Sequence, residues 1–172
     1  WIERSDFMEV PVKGFKRLSP GAEVRLRYGF VIRCTGCEKD ANGRVTRVFA
    51  EYYPDSKSGT PGADAYKPKG AIHWLCAKHA VAAEARLYDR LFTQPIPGAP
   101  GPDGTPRSFL DDLNPNALTT VTVFVEPQAA AAPPETRFQF ERHGYFVTDR
   151  FDHRPDAPVF NRTVALKSGW KR

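Results

Sequence analysis

One stretch, Lys16 to Arg33 (KRLSPGAEVRLRYGFVIR), constrains the fold of this chain more than any other. From Val24 to Ile32 every second residue is apolar, and Arg25 and Arg27 fall on the opposite side of the alternation. A period of two residues is typical of a half-buried β-strand rather than of a helix. We therefore predict one strand over Val24–Cys34, with an apolar face toward a core.

The polar face of this predicted strand carries chemistry suited to nucleic acid. Arg25 and Arg27 would lie roughly 7 Å apart along it, with Lys16 and Arg17 just upstream. Guanidinium forks on a rigid strand fit phosphates and base edges well. A solvated strand face explains the same residues equally simply, so this stretch alone leaves both interpretations open.

Length and composition set the outer bounds. A chain of 172 residues with 41% apolar content suits one domain or two small ones with a real core, and it has no apolar run near the ~20 residues that span a bilayer. The formal charge of +5 is compatible with an anionic partner.

Three cysteines, an odd number, fit a reducing cytoplasm better than a disulfide framework. The chain opens on Trp1 without a signal region, and we expect an excised fragment.

The remaining pattern predicts many short strands, which favours a mostly β fold closing into barrels. An Asn42-Gly43 turn suits a hairpin, and Ser108 with Asp111 forms a capping box. The predicted elements are strands at Arg44–Tyr53, Gly70–Leu75, Leu118–Glu126 (buried) and Val159–Leu166, a hairpin over Arg137–Thr148 turning near His143-Gly144, a short helix at Phe109–Leu113, and loops at 54–68, 93–107 and Gln128–Glu135.

The segment Ala80–Phe92 is ambiguous. Its four alanines and other good helix formers favour a helix. Its second half, ARLYDRLF, alternates in the manner of a strand. Local propensity alone favours the helix.

Cys34 and Cys37 form a CxxC pair, and further possible metal ligands follow at His73, Cys76 and His79. Such a set could build a tetrahedral zinc site, but the pair ends a predicted strand and the later spacing is irregular. We expect no metal, and a zinc-binding structural module remains an alternative. The sequence has no Gly-rich phosphate loop, nucleophile elbow or suitably spaced carboxylate pair, so we also expect no active site.

Aromatic and basic residues are interleaved twice, at Arg25–Arg33 and Arg137–Tyr145. This pattern lets bases stack on rings while cations hold phosphates, as in the recognition of single-stranded RNA. Ordinary barrel core with solvated edges fits the composition as well.

Five segments together resemble the C-terminal anticodon-binding region of the glutaminyl-tRNA synthetase family, within the class I aminoacyl-tRNA synthetases. They are KRLSPGAEVRLRYGFVIR, KGAIHWLCAKHA, EARLYDRLF, FQFERHGYF and PVFNRTVALKSGW, in this order, and the resemblance runs from Trp1 to about Trp170. It implies an all-β architecture of two β-barrels with one or two short helices. The distal barrel, residues 13–93, would be complete. The proximal barrel, residues 94–172 with 1–12, would lack its first strands. The resemblance also makes EARLYDRLF a strand, against its helix propensity.

The resemblance further implies which residues bind RNA. Arg25 and Arg27 match arginines at the first anticodon base, and Lys16 and Arg17 match residues around the third base, a guanine. Gln139 and Arg142 match residues that read the middle base, a uracil. Three departures put single hydrogen bonds in doubt: Gly14 for a polar residue, Phe15 for Tyr, and Gly169 for Thr.

The implied function is recognition of the tRNA(Gln) anticodon loop, as part of an enzyme that joins glutamine to its tRNA for translation. The resemblance implies a cytoplasmic monomer with no membrane partner and an upstream catalytic domain that uses ATP and Mg²⁺. This fragment would be non-catalytic and would hold no cofactor. Two other RNA-binding alternatives remain: the related barrels of a glutamyl-tRNA synthetase, and a single ribosomal RNA-binding barrel.

Overall fold

The computed structural model describes residues 1–166 and divides the chain into two compact units. The first unit is Trp1–Ala77, and the second starts at Lys78. The first contains a four-stranded sheet and the second a five-stranded sheet. The all-β prediction is confirmed, and over residues 1–166 both sheets are open rather than closed into barrels.

The first sheet has the strand order β3-β2-β1-β4. Its antiparallel neighbours β1, β2 and β3 follow each other along the chain, and β4 joins β1 in parallel. Leu18, Val24, Cys34 and Ile72 are buried together as its core. The strands are β1 (Glu23–Leu26), β2 (Val31–Lys39), β3 (Val45–Tyr52) and β4 (Ala71–Ile72).

The prediction of one strand over Val24–Cys34 is wrong, because the chain reverses inside it. The amide of Gly29 donates to the carbonyl of Leu26 at 2.7 Å, and Tyr28 adopts a left-handed φ of 56°. β1 and β2 are thus the two arms of a tight hairpin. Alternation of apolar residues continues through such a turn, since both arms keep their apolar side chains toward the same core.

The predicted Asn42-Gly43 turn and its return strand are confirmed. Gly43 has a φ of 75°, and the carboxylate of Asp40 accepts the amides of Asn42 and Arg44, both at 2.9 Å. The strand predicted at Gly70–Leu75 forms only over Ala71–Ile72.

The second sheet has the order β6-β5-β9-β8-β7. Its strand β5 lies between two neighbours, pairing antiparallel with β6 and parallel with β9, which confirms the strand within Ala80–Phe92. The hairpin of β7 and β8 and the last strand are also confirmed. The strands are β5 (Val81–Tyr88), β6 (Leu118–Val125), β7 (Arg137–Phe140), β8 (Gly144–Thr148) and β9 (Val159–Val164).

The core of the second sheet centres on Phe160, which is fully buried and contacts the rings of Phe138 and Phe140 edge-on. Two predictions need correction here. β6 forms as predicted, but it is a sheet edge, so among its residues only Val125 is buried. The loop predicted at Gln128–Glu135 begins inside a one-turn helix, α1 (Pro127–Ala130), whose alanines 129 and 130 pack into the core.

The Pro/Gly connector at 93–107 contains neither helix nor strand, as predicted. Ser108 caps a short 3₁₀ helix, Phe109–Asp112, and the predicted capping box is present. Asp112 is buried, and its carboxylate accepts the amide of Gly98 at 2.9 Å and a guanidinium N–H of Arg107 at 2.6 Å. One buried carboxylate thereby holds two points of the connector, Gly98 and Arg107.

The predicted limits of the distal and proximal barrels, residues 13–93 and 94–172 with 1–12, stay a prediction. β5 lies within the first range and pairs with strands of the second unit. Gly169 lies outside the described residues. Within residues 1–166, no helix is both long and apolar enough to cross a membrane.

Candidate nucleic-acid interface

Arg25 lies at the base of a cleft in the first unit and is tied to the loop that follows β3. Its Nη1 donates to the carbonyl of Ser56 at 2.6 Å and to the hydroxyl of Ser58 at 3.3 Å. Its Nη2 donates to the carbonyls of Ala63 at 3.1 Å and Tyr66 at 3.4 Å. Alternation in β1 turns this side chain away from Val24, which is fully buried. Arg25 is half-buried, and both of its terminal nitrogens are engaged by protein oxygens.

The cleft above Arg25 has a volume of about 730 Å³. Three cations face it, Arg25, Lys67 and Lys69, against the single carboxylate of Asp64. Tyr66 also lines it and packs on the ring of Tyr53 with centroids 5.3 Å apart. A concave surface with excess positive charge and an aromatic ring can hold an anionic, stacking ligand such as a nucleotide.

Lys16 and Arg17 differ in their surroundings. Lys16 is exposed, and its backbone packs directly on Gly70, next to the cleft. Arg17 is half-buried; it donates to the carbonyl of Ser5 at 3.0 Å and pairs with the fully buried Asp6 at 3.4 Å. Arg17 thus compensates a buried carboxylate, a role that the sequence pattern did not reveal.

Arg27 follows β1 in the hairpin turn and is exposed. Its guanidinium lies 5.6 Å from the ring centroid of Tyr28, a cation–π distance. Tyr28 is 83% exposed, the highest value among the large apolar side chains described. The backbone carbonyl of Arg27 accepts the indole N–H of Trp74 at 3.0 Å, which fixes the turn. Sequence reasoning placed Tyr28 in the core; the turn instead presents it to solvent beside Arg27, as a stacking surface.

Gln139 and Arg142 lie on the β7–β8 hairpin of the second unit and are exposed. Gln139 pairs across the strands with Tyr145, which is also exposed. Arg142 is in the turn with a φ of 66°. The hairpin therefore presents an amide, a guanidinium and a phenol ring near one another. Four of the six predicted residues lie in the first unit: Lys16, Arg17, Arg25 and Arg27. Gln139 and Arg142 lie in the second unit.

Two lysines at the cleft, Lys67 and Lys69, were missed by the sequence analysis. The available signal was the short KPKG segment just before β4, which sets two cations beside a close backbone approach at Gly70. Their function could not be inferred without knowing that the loop folds back over Arg25.

The cysteines do not build a metal centre in the part of the chain that the structure describes. Cys34 is buried, Cys37 half-buried and Cys76 exposed, and all three are free thiols. Burial raises the pKa of the Cys34 thiol, which disfavours the thiolate that zinc requires. Within residues 1–166, no three His, Cys, Asp or Glu side chains are grouped so as to hold a metal ion.

Comparison with known proteins gives this surface its context. Two models of the same description, tRNA synthetases class I (E and Q), anti-codon binding domain, match residues 1–53 and 71–149. The chain belongs to this family of anticodon-binding domains. The two matched ranges contain all six residues predicted to bind RNA: Lys16, Arg17, Arg25, Arg27, Gln139 and Arg142.

Relatives of the anticodon-binding chain are similar over its whole length. The glutamine–tRNA ligase of Ralstonia nicotianae is 61% identical over 99% of this chain, which spans 28% of that relative. The glutamine–tRNA ligase of Cupriavidus metallidurans is 60% identical over 99% of this chain and 28% of its own length. That of Nitrosomonas europaea is 54% identical over 100% of this chain and 30% of its own length. The chain therefore spans less than a third of the relatives it matches. The loop segment 54–70, which folds over the side chain of Arg25, falls in neither family range.

Proposed function

We propose that this chain is the anticodon-recognition part of a glutamine–tRNA ligase and binds the anticodon loop of tRNA(Gln). The observation that carries the proposal is the pair of family matches, which together contain all six residues predicted to bind RNA. The names of the relatives, each similar over the full length of the chain, support glutamine as the amino acid. The exposed Arg27–Tyr28 pair and the exposed Gln139 and Arg142 supply suitable contacts.

In this proposal the chain binds RNA and does no chemistry. The whole protein is a cytoplasmic monomer in which a separate catalytic part uses ATP and Mg²⁺ to join glutamine to tRNA. In the proposal both ATP and Mg²⁺ belong to that catalytic part and not to this chain. The predicted distal range, residues 13–93, contains the first sheet and also β5, which pairs within the second sheet.

The six residues divide the anticodon between them. Arg27 acts at the first base, beside the loop that Arg25 anchors through its two terminal nitrogens. Lys16 and Arg17 act around the third base, and Gln139 and Arg142 act at the middle base. Phosphate contacts set the register of the RNA, and contacts with splayed bases carry the specificity.

The test is binding of a synthetic anticodon stem-loop by the intact protein. The glutamine stem-loop is expected to bind more tightly than a stem-loop with a glutamate anticodon. Affinity should fall as salt rises, with a log–log slope of about −0.7 for each phosphate contacted in the single-stranded loop. Equal affinity for both loops would contradict the glutamine assignment, and salt-independent binding would contradict the electrostatic basis.

A further inference from the structure

The loop after β3 carries two cations, Lys67 and Lys69, at the mouth of the cleft in the first unit. Both side chains are exposed. Among the described residues neither makes a hydrogen bond or an ion pair, so their ammonium groups are available to a ligand. Lys57 lies on the same loop and is also exposed, but it does not line the cleft.

Arg25 holds this loop in place from below. Its guanidinium binds oxygens of Ser56, Ser58, Ala63 and Tyr66, which are 31 to 41 residues away in sequence. Other hydrogen bonds also join the loop to the first sheet. The Ser56 hydroxyl accepts the amide of Val31 at 2.8 Å, and the amide and hydroxyl of Ser58 donate to the carbonyl of Gly29 at 3.0 and 3.1 Å. A planar fork with five donors suits this bridging task, and an ammonium group cannot replace it.

We propose that Lys67 and Lys69 form a binding site for RNA backbone phosphates, and that Arg25 is the positioning residue that sets this site. The terminal nitrogens of Arg25 already donate to protein oxygens, so its role is to fix the loop rather than to read a base edge. The lysines, with free ammonium groups and flexible stems, make the phosphate contacts. Asp64 on the same rim repels phosphate and confines it to the lysine side of the cleft.

This inference rests on the proposed function and deepens it by adding a contact with the RNA. The contact lies in segment 54–70, which is outside both family ranges. It assigns to the cleft a contact that is independent of base identity. Removing either lysine should therefore weaken all loops alike, while the preference between bases stays unchanged.

The experiment measures binding of the glutamine anticodon stem-loop to the intact protein over a range of salt concentrations. Lys67→Ala and Lys69→Ala are each expected to weaken binding by up to about fivefold, the upper range for an exposed ion pair. Each should reduce the salt slope by about 0.7. The matched control Lys57→Ala removes the same charge from the same loop and should change affinity by less than about twofold.

Two Arg25 variants test positioning. Arg25→Gln and Arg25→Lys should both lower the salt slope by about 1.4, the loss of two phosphate contacts. Both should speed amide hydrogen exchange in residues 56–66. In the background of Lys67→Ala and Lys69→Ala, the change Arg25→Lys should cost no further affinity, because the contacts that it positions are already gone.

The outcomes separate the two claims. If the parent protein fails to bind the stem-loop, the proposed function is wrong. If the parent binds and the lysine variants keep its salt slope, the phosphate site is wrong. If Arg25→Lys keeps the parent's affinity, charge rather than the anchored loop explains Arg25, and the positioning role is wrong.

Discussion

The backbone carbonyl oxygen of Lys16 lies 1.9 Å from the position that a β-carbon on Gly70 would occupy. The carbonyl of Gly70 in turn accepts the amide of Arg25 at 2.9 Å. Because Gly70 has no side chain, the backbone before β1 and the backbone before β4 can lie in direct contact. The absence of a side chain at this one position fixes Lys16 beside the cleft.

Replacing Gly70 with alanine should lower the free energy of unfolding by about 1–3 kcal/mol, because the added methyl group forces a backbone segment to move. Gly36→Ala in β2 is the matched control, since a β-carbon added there would meet no atom within 4 Å. It should cost less than about 0.5 kcal/mol. Urea denaturation of both variants measures the difference, and equal costs would show that the Lys16–Gly70 contact relaxes freely.

A charged network in the second unit predicts an acid-sensitive contribution to stability. The carboxylate of Asp149 accepts a hydrogen bond from the side-chain Nδ2 of Asn161 at 2.6 Å and pairs with Arg86 at 3.3 Å. The hydrogen bond from Asn161 is the main cause that lowers the pKa of Asp149 below its ordinary 3.8. A lowered pKa stabilises the fold above the unfolded-state pKa near 4, and this contribution is lost as pH falls through the folded-state pKa.

Asp149→Asn should therefore lower the free energy of unfolding by about 1.5–3 kcal/mol at pH 7. The difference from the parent protein should shrink as pH falls below about 4 and through the lowered pKa of Asp149, where the parent carboxylate also becomes neutral. Asp156→Asn, at an exposed position in the same loop region, is the control. A cost for Asp149→Asn that does not vary with pH would contradict the electrostatic explanation.

Metal analysis tests the interpretation of the CxxC pair. Cys34 belongs to the core of the first unit, where burial raises the pKa of its thiol. The purified protein is therefore expected to contain no stoichiometric zinc. About one zinc per chain by elemental analysis, lost on Cys34→Ala, would establish a metal site instead.

How far the sequence predicted the structure depended on how local each cause was. The turn at Asn42-Gly43 and the capping box at Ser108 and Asp111 were predictable, because residues within four positions of one another determine them. The hairpin at Tyr28 was not, since alternation is the same in one long strand and in two arms.

Long-range contacts explain the remaining differences. β5 is a strand despite its alanines because partners on both sides satisfy its backbone, which overrides helix propensity; the resemblance predicted this and composition did not. The anchoring of Arg25 depends on acceptors up to 41 residues away. The pairing of Arg17 with the buried Asp6 likewise could not be predicted from the local sequence pattern.

The central claim, that this chain recognises an anticodon, is tested most directly at the β7–β8 hairpin. Uracil presents carbonyl acceptors and one ring N–H donor. Arginine can donate to the carbonyls, and the Gln amide can both donate and accept. Cytosine would instead present its amine to the guanidinium of Arg142. The pair Gln139 and Arg142 therefore fits uracil better.

The decisive measurement is the affinity of the intact protein for two stem-loops that differ only by uracil or cytosine at the middle anticodon base. Gln139→Ala or Arg142→Ala should each cost about 1–3 kcal/mol with the uracil loop and narrow its advantage over cytosine. Arg44→Ala, at an exposed arginine outside this hairpin, should affect both loops alike. If Gln139→Ala and Arg142→Ala also weaken both loops equally, these residues only position the RNA, and the assignment of base recognition to them is contradicted.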